Sequence, residues 1–164
     1  MMRPTIAVCF SSYNHASFVG DTIKSTLEQT TQDFEIIVSD DNSKDQSVQV
    51  IKDFHNPKIT LIENKNNSGP SIAINKALKI ANSEFVAIIG SDDMMEKTRL
   101  EKQSNFLKTH PNYSVVFTYA QTIDEQNNEI ENSIMGTFNK SFASRHQILN
   151  RFFYYLSHRI TCYI

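Results

Sequence analysis

Short apolar runs alternate with amphipathic stretches along the first 120 residues of the chain. "TIAVCFSS" reads as a buried strand from Thr5 to about Phe10. In the next segment Ala16, Val19, Ile23 and Leu27 recur on one face, which predicts a helix over 16–29 that Gly20 weakens without forbidding. "FEIIVSDD" supplies a second strand, Glu35 to Ser39, "DQSVQVIKDF" a helix and "KITLIE" a third strand. After the polar run "NKNNSGP", Gly69 permits backbone angles closed to other residues, and Pro70 suits a first helical position. Ala73, Ile74, Ala77, Leu78 and Ala81 then form an apolar stripe. "EFVAII" is a fourth strand, "EKTRLEKQSNFLKT" a helix and "YSVVFTYA" a fifth strand.

Strictly alternating strands and helices predict an α/β fold, a three-layer α/β/α sandwich with a mostly parallel sheet. The nearly all-apolar strands suit central positions in such a sheet. Beyond Ala120, "TIDEQNNEIENSIMGTFNKS" is polar, fitting a hairpin or an excursion over the sheet's active face. Residues 142–163 regain apolar content and predict a helix whose aromatics face a partner surface. No repeat, linker or low-complexity tract divides the chain, so one domain over residues 1–164 is expected.

Composition adds little beyond exclusions. At 40% apolar and 21% charged residues the chain fits a soluble globular protein, and a formal charge of -2 gives no electrostatic case for nucleic acid. Cys9 lies in an apolar run and Cys162 at the other end, so reduced thiols and a reducing compartment are expected. The amino terminus is too short and polar in its apolar run for a signal peptide, and no stretch approaches the roughly 20 apolar residues of a membrane span. The expected location is cytoplasmic, with room for action at the inner face of the membrane.

Candidate chemistry sits where strands end. Asp40 and Asp41 follow the second strand and Asp92 and Asp93 the fourth, and in open alternating sheets ligands collect beyond the carboxyl ends of the strands. Adjacent carboxylates repel unless hydrogen-bonded, separated or neutralised by a cation. A hard divalent ion, magnesium or manganese, accepts such oxygen ligands beside phosphates. Either pair alone is equally at home as a turn or a helix cap. A dinucleotide fingerprint, a Gly-Lys-Ser/Thr phosphate loop and a serine elbow are missing. His15, His55, His110, His146 and His158 lack zinc-like spacing with the cysteines, and each reads as a surface or structural residue.

Four stretches taken in order resemble the family-2 glycosyltransferases with the nucleotide-diphospho-sugar transferase A-type (GT-A) fold. They are "TIAVCFSSYNHASFVGDTIKSTLEQT", "FEIIVSDDNSKDQSVQVI", "ENKNNSGPSIAINKALKIANSEFVAIIGSDDMM" and "RLEKQ", covering roughly Thr5 to Ala120. The resemblance implies a donor-binding part over 5–120, with the acceptor side incomplete, as in an N-terminal or truncated catalytic domain. It implies inverting transfer of a sugar from a nucleotide-diphosphate donor, UDP favoured, to a saccharide or lipid-linked acceptor in surface polysaccharide or glycoconjugate assembly. A catalytically incomplete nucleotide-sugar binding or assembly module is the alternative. By resemblance, Ser11, Tyr13 and Asn14 border the base-binding loop and Asp40 contacts the base region, with Asp41 beside it. Asn66 and Gly69 lie in the loop next to the nucleotide, Ser91 and Asp92 border ribose and diphosphate, and Asp92 or Asp93 holds Mn2+ or Mg2+. Asn14 equally suits a cap for the following helix.

Two departures from the family pattern stand out. Gly90-Ser91-Asp92-Asp93 lacks the first carboxylate of an Asp-X-Asp motif, and Ile74 and Asn75 stand where an arginine is common. Asp124, Glu125, Glu129 and Glu131 are available acids, and none matches an acceptor-side base motif. A membrane-surface or protein partner and a homo-oligomer stay open.

Overall fold

In the computed structural model of the protein, residues 3–135 and 160–163 are described. The first sheet forms around β1 (Ile6–Ser12), which pairs in parallel with β2 (Phe34–Asp40) and β4 (Phe85–Ile88), while β2 also pairs in parallel with β3 (Ile59–Glu63). The strand order is β3-β2-β1-β4. Between the strands run α1 (Val19–Leu27), α2 (Ser47–Asp53) and α3 (Pro70–Ile80), and α4 (Arg99–Thr109) follows β4.

Alternation along β1 sorts the two faces. Ile6, Val8 and Phe10 join Phe34, Ile36 and Val38 in a large cluster closed by Val19 and Ile23 of α1, Ile51 of α2 and Leu100 of α4. On the opposite face Ala7, Cys9 and Ile37 meet Ala77 of α3, with Ile74, Leu78 and Ala81 at its margin. Small side chains on both partners let α3 lie close to the sheet. The Cys9 thiol is fully buried and free, and its pKa is pushed up to about 12, first by burial and then by the charge of Glu35. It is an inert core thiol.

A second sheet has the order β5-β8-β6-β7, from β5 (Met94–Met95), β6 (Tyr119–Ile123), β7 (Glu129–Met135) and β8 (Ile160–Tyr163). β6 and β7 form a hairpin after Ala120, one of the two alternatives left open there, closed by Asp124 accepting from the N–H groups of Gln126 and Asn128. Buried polar groups of α1 fasten β5: Thr22 Oγ1 donates to the Asp93 carbonyl at 2.8 Å, and Ser25 Oγ accepts from Met95 N at 3.1 Å. One turn on, Gln29 Nε2 donates to the Glu96 carbonyl and its Oε1 accepts from Leu100 N.

Three expectations change. The strand expected over Tyr113–Ala120 begins only at Tyr119, because the preceding stretch stays outside a ladder: Tyr113 and Val115 are exposed, and the Val116 carbonyl takes its bond from the Gln103 side chain of α4. The helix expected over 142–163 is replaced at its end by β8, where Ile160 and Thr161 are β-branched residues paired with β6. Residues 142–159 of that expectation lie outside the described residues. The first helix starts at Val19 instead of Ala16, since Phe18 and Val19 both donate to the His15 carbonyl in a preceding turn. Among the described residues no helix is long and apolar enough to cross a membrane.

Gly20 offers a check on this packing. A Cβ at Gly20 would meet only Val50 Cγ1, at an ordinary 3.5 Å. Gly20→Ala should therefore raise the free energy of unfolding by about 0.5–1 kcal/mol, the usual helical gain over glycine, read by urea denaturation. An unchanged or lower midpoint would show that α1 and α2 pack closer than described.

Candidate functional site

Because β4 lies on the other side of β1 from β2 and β3, the chain reverses its direction of travel at β1. The crevice between the carboxyl ends of β1 and β4 is the topological switch point of the sheet. Register places Ser12, Asp40 and Glu63 together at this edge, while Ile88, the end of β4, pairs with Cys9 three residues earlier on β1. The loops bearing Tyr13–His15, Asp41–Asp45, Asn64–Gly69 and Gly90–Asp93 all leave from it. The edge expected from the two acidic pairs is thus the observed one.

The first pair is satisfied by the protein itself. Asp40 is buried, and its carboxylate accepts from Ser43 N at 2.9 Å and Ser43 Oγ at 2.5 Å, a local turn. Asp41, also buried, accepts from Ser68 N and Gly69 N at 2.8 and 2.7 Å, from Ser68 Oγ and from Asn64 Nδ2. Burial alone would raise the Asp41 pKa, but the bonds from Ser68, Gly69 and Asn64 outweigh it and hold the carboxyl below the ordinary range. Gly69 sits at φ 86°, with nothing within 4 Å of an added Cβ, so backbone conformation and not space requires glycine there. Its N–H turns onto Asp41 just where α3 begins. Asn66 is exposed in the same loop and takes part in none of these bonds.

The β1 loop is latched to the β2 loop. Asn14, at φ 55°, donates from its backbone to Ser43 Oγ and accepts Lys44 N on its side chain, so it does not cap α1. Asp45 accepts from Ala16 N on one oxygen and from Ser47 N and Oγ on the other. Against the rise that burial alone would cause, these bonds from Ser47 and Ala16 lower its pKa. Ser11 ends half-buried in β1, and Tyr13 projects from the loop with 43% of its surface exposed.

The second pair behaves differently. An added Cβ at Gly90 would lie 2.6 Å from Asp93 Oδ2 and 2.9 Å from Asp92 Oδ1, so both carboxylates converge on the space that a side chain would fill. Gly90 N donates to Asp93 Oδ2 at 3.2 Å. Ser91 is buried, and its hydroxyl lies 2.7 Å from His15 Nδ1 across the crevice. Two convergent carboxylate oxygens beside an open crevice fit a hard divalent cation. Among the described residues no cluster of three His, Cys, Asp or Glu exists, so further ligands would come from elsewhere, such as diphosphate or water.

Several contributors escaped the sequence reading. Ser43, Asp45 and Ser47 form an Asx-type pattern in "DNSKDQS" that could have been read as a loop staple, whereas nothing in the sequence pointed to His15. Lys76 of α3 supplies a cation near the position where arginine is common, its Nζ donating to Asn64 Oδ1 at 2.8 Å. Arg99 is buried at the start of α4; it donates to the Ile88 carbonyl and to Gln103, bracing the end of β4. Of the acids available for an acceptor side, Asp124 is consumed by its hairpin turn.

The sequence profile of the Glycosyl transferase family 2 matches residues 7–163, and the chain belongs to that family. A UDP-Glc:alpha-D-GlcNAc-diphosphoundecaprenol beta-1,3-glucosyltransferase of Escherichia coli, WfgD, is 32% identical over 133 residues, which cover 81% of this chain and 50% of that protein. Among solved structures, Staphylococcus aureus TarS 1-349 in complex with UDP superposes with a TM-score of 0.63 at 25% identity, covering 85% of this chain and 38% of that one. The mannosyltransferase PcManGT of Pyrobaculum calidifontis, in complex with GDP-Man and Mn2+, shares the fold at a TM-score of 0.59 and 23% identity, covering 76% of this chain and 36% of that one. The fold is therefore GT-A. The chain spans about half the length of the curated relatives it matches.

The buried Asp41 makes the loop network testable by acid. Its folded-state pKa is depressed, so its contribution is fully present above the unfolded value of about 4 and is lost as pH falls through the lower folded value. Asp41→Asn should cost about 2–4 kcal/mol at neutral pH and flatten the fall of unfolding free energy below about pH 5. Urea denaturation across pH 2.5–7 reads both; an unaltered acid slope would mean that the carboxylate is not the hub described.

Proposed function

We propose that this chain is the donor-binding part of a glycosyltransferase acting in polysaccharide or glycoconjugate assembly. The reaction would move a sugar, with inversion, from a nucleoside diphosphate, UDP favoured, to a saccharide or lipid-linked hydroxyl. The observation that carries this reading is the convergence of Asp92 and Asp93 on Gly90 at the switch point of a family-2 chain. Relatives lend support: WfgD is a UDP-Glc-dependent transferase with a lipid-linked acceptor, and TarS was solved with UDP.

Asp92 and Asp93 would hold Mn2+ or Mg2+, which when bound neutralises the donor diphosphate and the departing nucleotide. The chain's own residues do the rest of the binding. Tyr13 offers an exposed ring to a base, and the latched loops of Asn14, Asp40 and Asp41 present backbone and Ser11 around it. Because the Asp40 and Asp41 oxygens already accept loop N–H groups, their main contribution to donor binding is to hold the shape of that wall. Asn66 and Gly69 extend it on the β3 side, where Lys76 adds positive charge against an anionic donor. The catalysis would occur in the cytoplasm, at the membrane face where a lipid-linked acceptor resides.

A nucleotide-sugar binding module without transfer is the second reading. It is favoured by Asp124, whose carboxylate is committed to N–H groups of its own turn and not to an acceptor.

Calorimetry with UDP, GDP and dTDP, with and without Mn2+, tests donor binding. We expect UDP to bind at least tenfold more tightly with Mn2+, and Asp92→Ala or Asp93→Ala to abolish that gain. Gly90→Ala should reduce it, because its methyl would force both carboxylate ends to shift. Nucleotide binding indifferent to metal and to all three substitutions would overturn the proposed site. Incubation with UDP-sugars and lipid-linked acceptors then separates the two readings: binding without transfer or donor hydrolysis supports the module.

A further inference from the structure

We propose that His15 is a positioning residue: it fixes the Gly90–Asp93 loop through Ser91 and thereby sets the affinity for a cation-bound nucleoside diphosphate. The inference rests on the donor-binding reading above and adds to it the element that ties the two sides of the crevice together.

The histidine is held from its own side at several points. Its backbone N donates to Ser47 Oγ at 2.9 Å. Ser47 is fully buried and is itself fixed by Asp45, whose second oxygen takes Ala16 N. Asn14, just before it, is in the left-handed region and latched to Lys44, so the chain enters His15 in one direction. The ring meets Phe18 edge-on, with centroids 6.2 Å apart. These restraints leave the imidazole little freedom.

From that anchored position Nδ1 crosses the switch point to Ser91 Oγ at 2.7 Å. Ser91 is 4% exposed, and among the described residues this is the only hydrogen bond its hydroxyl makes. Breaking it would strand a buried hydroxyl, which is unfavourable enough to move the loop. Thr22 Oγ1 also holds the Asp93 carbonyl, so the Asp92–Asp93 pair is flanked by a clamp from α1 and one from the β1 loop. Without His15, the clamp on the Ser91 side is lost, and the carboxylates no longer converge on the space beside Gly90. His15 acts through Ser91 and touches no reacting atom in this account.

The test uses UDP with Mn2+ as the probe and the full chain, with calorimetric Kd values for wild type, His15→Asn, His15→Gln, His15→Ala, Ser91→Ala and the His15→Ala/Ser91→Ala pair. An asparagine amide can stand where Nδ1 stands, whereas a glutamine amide reaches to the Nε2 position. His15→Asn should stay within about threefold of wild type, while His15→Gln, His15→Ala and Ser91→Ala each weaken binding about tenfold, the size of one lost hydrogen bond. The double variant should be no weaker than either single one. Urea midpoints run alongside, because a purely structural histidine would lower stability without ranking Asn above Gln in affinity. Wild-type affinity in His15→Ala, multiplying losses in the double variant, or equal affinities for Asn and Ala would overturn the inference while leaving donor binding intact. Failure of the wild-type protein to bind any of the nucleotides would overturn the donor reading and this inference together.

Discussion

Two buried anions at the end of β2 set the terms for everything at this edge of the sheet. A carboxylate removed from water must be hydrogen-bonded or neutralised, and Asp41 achieves this with donors from Asn64, Ser68 and Gly69. Its own backbone N–H is spent on the Ser12 carbonyl, while the Asp40 carbonyl takes Asn64 N. One residue therefore joins the ends of β1, β2 and β3 to the first turn of α3. The loop between β3 and α3 can reach Asp41 only if the chain turns at positive φ just before Pro70, and Gly69 meets that demand.

The same logic recurs one loop away on a smaller scale. Asp45 gathers Ala16 and Ser47, Asp40 gathers Ser43, and Asn14 gathers Lys44, so the β1 and β2 loops form a lattice of short side chains accepting backbone N–H groups. Such a lattice needs little apolar contact and keeps the crevice polar and rigid. His15 carries it across to Ser91, and Arg99 braces the end of β4 from below through the Ile88 carbonyl. Geometry on both sides of the switch point is thus inherited from hydrogen bonds anchored in the first 50 residues, not from the hydrophobic core alone.

Legibility in the sequence followed how local each cause is. Strands β1 and β2 were readable because burial on both faces writes continuous apolar runs; β3 and β4 carry similar runs but lie half-exposed at the edges of the sheet and not at the expected central positions, and the helices were readable because their stripes pack on one face. The strand expected from Tyr113 failed because β-branched and aromatic residues state a preference that only a neighbouring edge can realise, and here Gln103 takes the Val116 carbonyl. β5 has only two residues, too few for any periodicity, and it exists through pairing with β8 far along the chain. Both acidic pairs were correctly placed at one sheet edge. Their difference was not legible: whether a carboxylate gathers N–H groups from a neighbouring loop, as Asp41 does, or converges with its neighbour on a glycine, as Asp92 and Asp93 do, depends on the partner backbone, and Asp-Asp reads alike in both cases. Asn14 was open between cap and ligand contact, and it latches a second loop instead.

Gly90 turns an apparent loss into a constraint. Gly90 stands where the Asp-X-Asp pattern of the resemblance has its first carboxylate, which suggests a weakened metal loop when only charges are counted. The geometry around Gly90 is more specific. Any Cβ at position 90 would fall within 3 Å of oxygens from both Asp92 and Asp93, so a side chain there and this arrangement of the pair exclude each other. A side chain at 90 would require both carboxylate ends to shift, and glycine leaves them where they are. A site of this kind depends less on the charge at position 90 than on the restraints that keep Ser91 and Asp93 in place, His15 and Thr22 among them.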